Sequence, residues 1–516
     1  MNFARALFTV SGLTILSRVG GFLRDTLTAI FLGAGAASDA FFVAQRLPNL
    51  FRSLFAEGAF SAAFVPLYTS ETEKNGDEAA QKFAGEALGV LIGFLTPFTL
   101  VVMMLMPWVI QLIAPGFQDE PHKFELAVSY SRITFPYLLL ISITALQTGV
   151  LNAHGRFGPG AAAPVALNIV MIIALLIASF FKWPIGTALA WGTAFSGIVQ
   201  AAWLALSCYR ARLVIPLVRP RLTEMTRRLF RQIGPGAVGA GAAQINLLLT
   251  TILASILPTG AVSYLYYADR LNQLPLGIVG IAVATTLLPI LSRYETQGDT
   301  QAVRHYVSRA IEFCLALGLP AAIGLGLAAQ PIIQTLFEHG AFTHLDTTET
   351  AKALMAYAIG IPAFLLVKVF ASRFFARHDT RTPVKIAIVS MSVNVGCALA
   401  LMPLIGHVGM ALATSIATWT NAIQLYLVLR KRGESLIDDA LKQRLPRFIL
   451  SGLGMALLTF ALTTSTQHWF LTSSLTFKII GLAGLIGASS LAYGVFLQLT
   501  GAVSVQDLMK RIKPSV

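Results

Sequence analysis

Long apolar stretches follow one another through this chain with only short polar connections between them, and this feature constrains the fold most. A helix needs about 20 apolar residues to cross a hydrocarbon layer of about 30 Å. Fourteen stretches fit that reading, at 7–33, 38–69, 84–114, 128–152, 161–181, 186–208, 229–258, 262–292, 309–336, 348–376, 384–405, 409–429, 447–465 and 475–500. Only helices and closed barrels satisfy every backbone group in lipid, and runs this long lack the alternation of barrel strands. The expected fold class is therefore an all-α polytopic membrane protein with 14 transmembrane helices. Composition agrees: 12% charged residues in a chain of mean hydropathy +0.71 cannot clothe a water-facing surface. The first stretch contains Arg18, Arg24 and Asp25 and runs past Leu32, so it is expected to stay as a membrane segment rather than be cleaved as a signal.

The net charge of +14 first suggests nucleic acid, but 55% hydrophobic content leaves little surface to track phosphates, and no nucleic-acid partner is expected. Lys and Arg are retained on the cytoplasmic side of a membrane. With the N-terminus inside, the inner connections and termini hold 26 of the 38 basic residues, and the outer loops hold only Lys123 and Lys182. That asymmetry supports the segment count and a topology with both termini cytoplasmic. The longest connection, around 209–231, carries seven arginines and is read chiefly as an orientation signal, with a partly amphipathic surface helix as the alternative. Cys208, Cys314 and Cys397 lie far apart in apolar runs and are expected to be buried hydrophobes.

An internal repeat is visible. Ala44-Gln45-Arg46-Leu47 matches Ala268-Asp269-Arg270-Leu271, and Gly76-Asp77 matches Gly298-Asp299. Pro159 matches Pro383, Asp39 matches Ser263, and Gly186-x-Ala-Leu-Ala matches Gly409-x-Ala-Leu-Ala, all at offsets of 222 to 224. Segments 1–6 thus correspond to segments 7–12 in the same orientation, which predicts two lobes about a pseudo-twofold axis along the membrane normal. The expected organisation is an N-terminal lobe at 1–208, a basic cytoplasmic linker at 209–228, a C-terminal lobe at 229–430, and two extra helices within 431–516.

Ten basic residues remain inside the segments, where each costs about 2.5–3.5 kcal/mol if it faces lipid. Arg18 and Arg24 lie near the middle of segment 1 and Arg52 near the middle of segment 2, so they must face inward. Arg270 lies in the outer half of segment 8 beside Asp269, which is placed to neutralise it. An arginine fork stays ionised and binds two oxygens at once, which suits a phosphate or pyrophosphate headgroup. On a straight helix Arg18 and Arg24 diverge by about 120°. Gly20-Gly21 between them offers a bend, and Pro235-Gly236 offers segment 7 a similar break.

Asp25 and Glu57 read best as packing partners within the membrane. Arg46 is either a gate residue or a packing partner. Asp39 and Ser263, at the outer ends of segments 2 and 8, either close an outer gate or cap helices. Lys368 divides evenly between a cavity role and snorkelling, while Arg132, Lys352, Arg373 and Lys478 lie nearer segment ends and are expected to snorkel. His154 and His378 are read as turn residues. No nucleotide, zinc-protease or dithiol motif is present, so no enzyme activity, metal or cofactor is expected.

Ser17-Arg18-Val-Gly-Gly-Phe-Leu-Arg24-Asp25, Ser38-Asp39-Ala-Phe, Arg46-Leu-Pro-Asn-Leu-Phe-Arg52 and Glu57-Gly58-Ala59-Phe60 resemble the MurJ (MviN) family of bacterial lipid II flippases. The resemblance covers essentially the whole chain. It implies the fold of the multidrug/oligosaccharidyl-lipid/polysaccharide exporter superfamily: two six-helix lobes around a central cavity, with two C-terminal helices forming a groove for a polyprenyl tail. It also implies that Arg18, Arg24, Arg52 and Arg270 are the cavity arginines.

The function this implies is translocation of lipid II, undecaprenyl-pyrophosphoryl disaccharide-pentapeptide, from the inner to the outer leaflet by alternating access. Membrane lipids and cell-wall synthesis proteins are the expected further partners. Membrane potential or a monovalent cation would supply the energy. A drug/cation antiporter of the same superfamily is the alternative, and it should favour carboxylates over arginines. A membrane enzyme acting on a polyprenyl-phosphate lipid is a second alternative, which would need carboxylates or histidines gathered at one wet face.

Overall fold

The computed structural model describes residues 3–55, 59–434 and 436–502. Glu57 lies outside them. The described residues form helices and no β-strand: α1 (Phe3–Leu32), α2 (Ala36–Phe55), α3 (Ala59–Met104), α4 (Met106–Ile113), α5 (Pro121–Thr134), α6 (Tyr137–Ala153), α7 (Gly158–Phe181), α8 (Ile185–Arg210) and α9 (Glu224–Ser255). These are followed by α10 (Ala261–Thr296), α11 (Thr300–Leu327), α12 (Ala329–Leu336), α13 (His344–Ala358), α14 (Ile361–Ala376), α15 (Arg381–Lys431), α16 (Asp439–Thr472) and α17 (Leu475–Leu499).

Ten helices among the described residues are long and apolar enough to cross a membrane. One of them, α15, holds two of the expected segments, divided where Ile405 leaves helical geometry and Gly406 takes φ 59°. The expected segments missing from those ten are the first, second and seventh. The first carries Arg18, Arg24 and Asp25, and the second carries Arg46 and Arg52.

Element boundaries follow the repeat. The eight-residue helices α4 and α12 begin 223 residues apart, and so do α5 and α13. Gly76 and Gly298, repeat mates, both have positive φ, and each breaks the chain between a long helix and the next. At Gly76 the break divides α3 into two arms, which an aromatic ladder joins: the Phe64 ring lies 5.3 Å from Phe60, 5.6 Å from Tyr68 and 5.6 Å from Phe83.

The chain divides into two compact units, Met1–Ser263 with Gly340–Phe342, and Tyr264–His339 with Thr343–Val516. Packing therefore assigns α9 to the first unit, although by sequence repeat it begins the second half. The Ala341 N–H donates to the Ile30 carbonyl at 2.8 Å, which joins residues 340–342 to the first unit. In the second unit Val279, Val283, Leu287 and Leu291 repeat every four residues along α10. That spacing makes one buried ridge, packed with Val307 and Ile311 of α11 and Val369 and Phe370 of α14.

The connection after α8 bears on the alternative reading of a surface helix there. It forms no helix before Glu224; residues 213–223 have no regular secondary structure, and Pro216, Val218 and Pro220 lie along α3. Gly85, Gly89 and Gly93 make a side-chain-free stripe on α3, and a Cβ added to them would come within 2.3 Å of the Pro216 oxygen, 2.2 Å of the Val218 oxygen and 2.8 Å of Pro220 Cγ. Thr223 fastens the far end of this strap: its hydroxyl donates to Glu86 Oε2 at 2.8 Å. The same residue caps α9 through the Thr226 N–H.

Arg373 corrects an expectation. It does not snorkel but is 1% exposed, with Nη1 on Glu295 at 2.5 Å and Nε on Glu434 at 2.6 Å. Arg377 binds the same two carboxylates at 2.8 Å and 2.6 Å. These four charges tie the ends of α10 and α14 to the segment between α15 and α16. Arg309 and Arg444 add to the tie through Glu312, and Arg309 also holds Asp438. Lys478, also expected to snorkel, is buried within α17.

Candidate substrate site and a buried latch

Segment 1 folds as one helix because nothing in it competes with the helical ladder. The α1 backbone stays helical through Gly20-Gly21, so the glycine pair does not interrupt it; nor does Pro235-Gly236 interrupt α9. The pair instead lets α7 approach. A Cβ on Gly20 or Gly21 would lie 3.5–3.6 Å from atoms of Asn168. Arg18 and Arg24 consequently differ in surroundings, Arg18 being exposed and Arg24 half-buried.

Arg24 is held on two sides. Its Nε and Nη2 both donate to Asp25 Oδ1, at 3.0 Å and 2.7 Å. Its Nη1 donates to Asn168 Oδ1 at 3.1 Å and lies 3.9 Å from Met171 Sδ. Asn168 Nδ2 in turn donates to the Ser17 carbonyl at 2.9 Å. A guanidinium so fixed within an apolar helix is a ready donor for an anion. Asp25 takes the packing role expected of it and is buried.

Arg46 and Arg52 lie half-buried on α2, and Arg52 Nε is 3.4 Å from Asn49 Oδ1. Arg270 and Asp269 belong to the second unit. The Arg270 guanidinium stacks 4.6 Å from the Tyr266 ring one turn earlier. Asp269 accepts a hydrogen bond from Gln273.

The first turns of α2, α5 and α10 form a latch. Asp39 is 0% exposed, and its Oδ1 accepts from the Ser263 N–H at 2.9 Å and the Ser263 hydroxyl at 2.6 Å. Its Oδ2 accepts from the Gly260 N–H at 2.8 Å. Asp39 thus caps the N-terminus of a helix remote in sequence, which is the capping reading of this pair. Lys123 completes it, 2% exposed, with Nζ 3.2 Å from Asp39 Oδ2, 3.0 Å from Thr259 Oγ1 and 4.4 Å from the Phe117 ring centre. Thr259 donates to Glu120, and Ser263 Oγ lies 3.0 Å from Ser38 Oγ.

Sequence reading missed Lys123 because it counted as a loop charge. It missed Asn168 because a search for ionisable groups passes over an amide. Among the described residues no three His, Cys, Asp or Glu side chains gather as a metal site.

The chain matches the family described as lipid II flippase MurJ over residues 28–480. It is 41% identical over 525 residues to the probable lipid II flippase MurJ of Rhizobium meliloti, covering 99% of this chain and 97% of that protein. The lipid II flippase MurJ of Burkholderia cenocepacia is 37% identical, covering 91% and 90%. A solved structure titled lipid II flippase MurJ, inward closed conformation, matches with TM-score 0.77 at 25% identity, over 97% of this chain and 99% of that one. An inward-facing multidrug resistance MATE family transporter of the MOP superfamily matches with TM-score 0.67 at 15% identity, over 82% of this chain and 97% of that one, and shares the fold. Relatives of full length, one of the solved structures, and the arginine motifs of α1 and α2 converge on one conclusion: the chain is a member of the lipid II flippase MurJ family.

Proposed function

We propose that this chain flips lipid II from the inner to the outer leaflet of the bacterial cytoplasmic membrane, supplying peptidoglycan synthesis, by alternating access. Arg24 carries the reading, an ionised fork fixed inside a spanning helix by Asp25 and Asn168. Membership of the family supports transport rather than catalysis, and the ten apolar helices support a multi-pass location. In this reading Arg18, Arg24, Arg52 and Arg270 hold the pyrophosphate while the polyprenyl tail stays in lipid against α16 and α17. Both termini are cytoplasmic, and the spanning segments number fourteen.

Moving a negative charge outward against a negative cytoplasm is favoured by about 2.3 kcal/mol per 100 mV, so membrane potential drives the step. No cofactor takes part. The test is leaflet-resolved labelling of lipid II in cells that depend on this protein. Arg24→Glu and Arg52→Glu, or an ionophore that collapses the potential, should each leave lipid II inside. Normal outer-leaflet labelling with both charge reversals would overturn the assignment of substrate and site, and normal labelling at zero potential would overturn the energy source.

A further inference from the structure

Asn168 is a polar amide in the middle of α7, an otherwise apolar helix, and it is 5% exposed. A buried amide in a spanning helix is costly unless both its ends are satisfied. Here both are, and the two partners fix its orientation: Oδ1 faces the Arg24 Nη1 donor and Nδ2 faces the Ser17 carbonyl. Reversing the amide would set a donor against a donor and an acceptor against an acceptor. Ser17 and Arg24 lie nearly two turns apart on α1, and the small surface of Gly20-Gly21 between them lets the Asn168 side chain lie flat across both.

Asp25 grips the Nε and Nη2 edge of the guanidinium from the next position on the same helix. A contact from the adjacent residue moves with α1, so by itself it does not set the direction of the fork relative to the rest of the unit. Asn168 contacts the other terminal nitrogen from a different helix.

We propose that Asn168 is the positioning residue for Arg24: it references the guanidinium to α7 and so sets the direction in which the fork meets a pyrophosphate oxygen. The inference rests on the reading of Arg24 as a substrate contact given above. It predicts that Asn168 affects anion binding only through Arg24. A role confined to helix packing would lower stability and leave the affinity of the folded protein alone.

The experiment measures the Kd of a short-chain polyprenyl pyrophosphate for the full-length protein in nanodiscs, together with thermal unfolding. The variants are Asn168→Leu, Asn168→Ala, Arg24→Ala and the double variant Asn168→Leu/Arg24→Ala. Leucine resembles asparagine in shape and favours insertion, so Asn168→Leu keeps the contact with the glycine pair. Expected is a roughly tenfold weaker Kd for Asn168→Leu and Asn168→Ala, the loss of one hydrogen bond to a charged group. In the Arg24→Ala background Asn168→Leu should have no further effect, because coupled residues are not additive.

An unchanged Kd for Asn168→Leu and Asn168→Ala, while Arg24→Ala weakens binding, would overturn the inference and leave the assigned site standing. Equal weakening by Asn168→Leu with and without Arg24 would also overturn it. An unchanged Kd for Arg24→Ala would overturn the reading of Arg24 and the inference with it.

Discussion

The latch at the first turns of α2, α5 and α10 contains an ion pair whose two halves should respond unequally to removal. Asp39 has four polar partners: three neutral donors at Gly260 and Ser263, and one cation, Lys123. Lys123 has more support, since Glu120 Oε1 lies 3.6 Å away, Thr259 accepts at 3.0 Å and Phe117 presents its ring. Lys123→Met therefore strands a fully buried carboxylate, and removing one partner of a buried pair costs about 3–5 kcal/mol. Asp39→Asn leaves Lys123 neutralised by Glu120 and turns one acceptor towards a donor, a cost of about 1–3 kcal/mol.

Combining the two removes the stranded charge, so Lys123→Met/Asp39→Asn should be more stable than Lys123→Met alone. The assay is hydrogen exchange of the Ser263 amide, which Asp39 accepts directly. At about 1.4 kcal/mol per factor of ten, Lys123→Met should lower protection by roughly a hundredfold or more, and Asp39→Asn by roughly tenfold. Protection in Lys123→Met equal to or above that in Asp39→Asn would refute this reasoning. So would a double variant less protected than Lys123→Met.

Glycine substitution should separate two helix contacts. Gly89→Ala drives a methyl group into the Val218 carbonyl and should destabilise by about 1–2 kcal/mol, with faster tryptic cleavage after Arg221. Gly20→Ala meets Asn168 at ordinary contact distance and should be neutral, or stabilising by up to about 1 kcal/mol through helix propensity. In the second unit Arg373→Met leaves Glu295 and Glu434 sharing Arg377, for about 3–5 kcal/mol, whereas Lys352→Met removes an exposed pair with Glu349 for under about 1 kcal/mol; thermal unfolding distinguishes them.

Asp379, in the connection after α14, has its carboxyl pushed down to about 2 by the Thr382 N–H and hydroxyl and then by Arg432. A lowered carboxyl contributes stability that is complete above its ordinary value near 3.8 and is lost as pH falls through about 2. A carbon-13 titration should therefore show no change at this side chain down to about pH 4, and a midpoint above 5 would contradict the geometry.

The spanning helices were legible because apolarity over about 20 residues is a local property of the chain. The break at Gly76 and its mate at Gly298 was legible because the repeat placed two glycines at one register. Interactions between distant residues were not legible. Arg373 sits near a helix end, where a lone arginine reaches for water, and Glu434 is 61 positions away. Lys123 lies two residues after a proline that starts α5, a position that reads as loop until α2 supplies Asp39. A signal for the strap was present unread: Gly85, Gly89 and Gly93 recur every four residues on one helix face. Such a stripe foretells close backbone approach without naming the segment that approaches.

That strap alters what the connection between the two repeat halves will tolerate. Four helical residues rise about 6.0 Å and two extended residues about 6.6 Å, so Pro216, Val218 and Pro220 keep step with Gly85, Gly89 and Gly93. Adding or deleting one residue within 216–220 would shift every later contact by half a period and turn side chains into the glycine stripe. A polar connection is ordinarily the first place to insert a tag or a reporter. Here the insertion-tolerant sites are expected at turns such as Gly298-Asp299, and the connection between α8 and α9 should be among the least forgiving of a change in length.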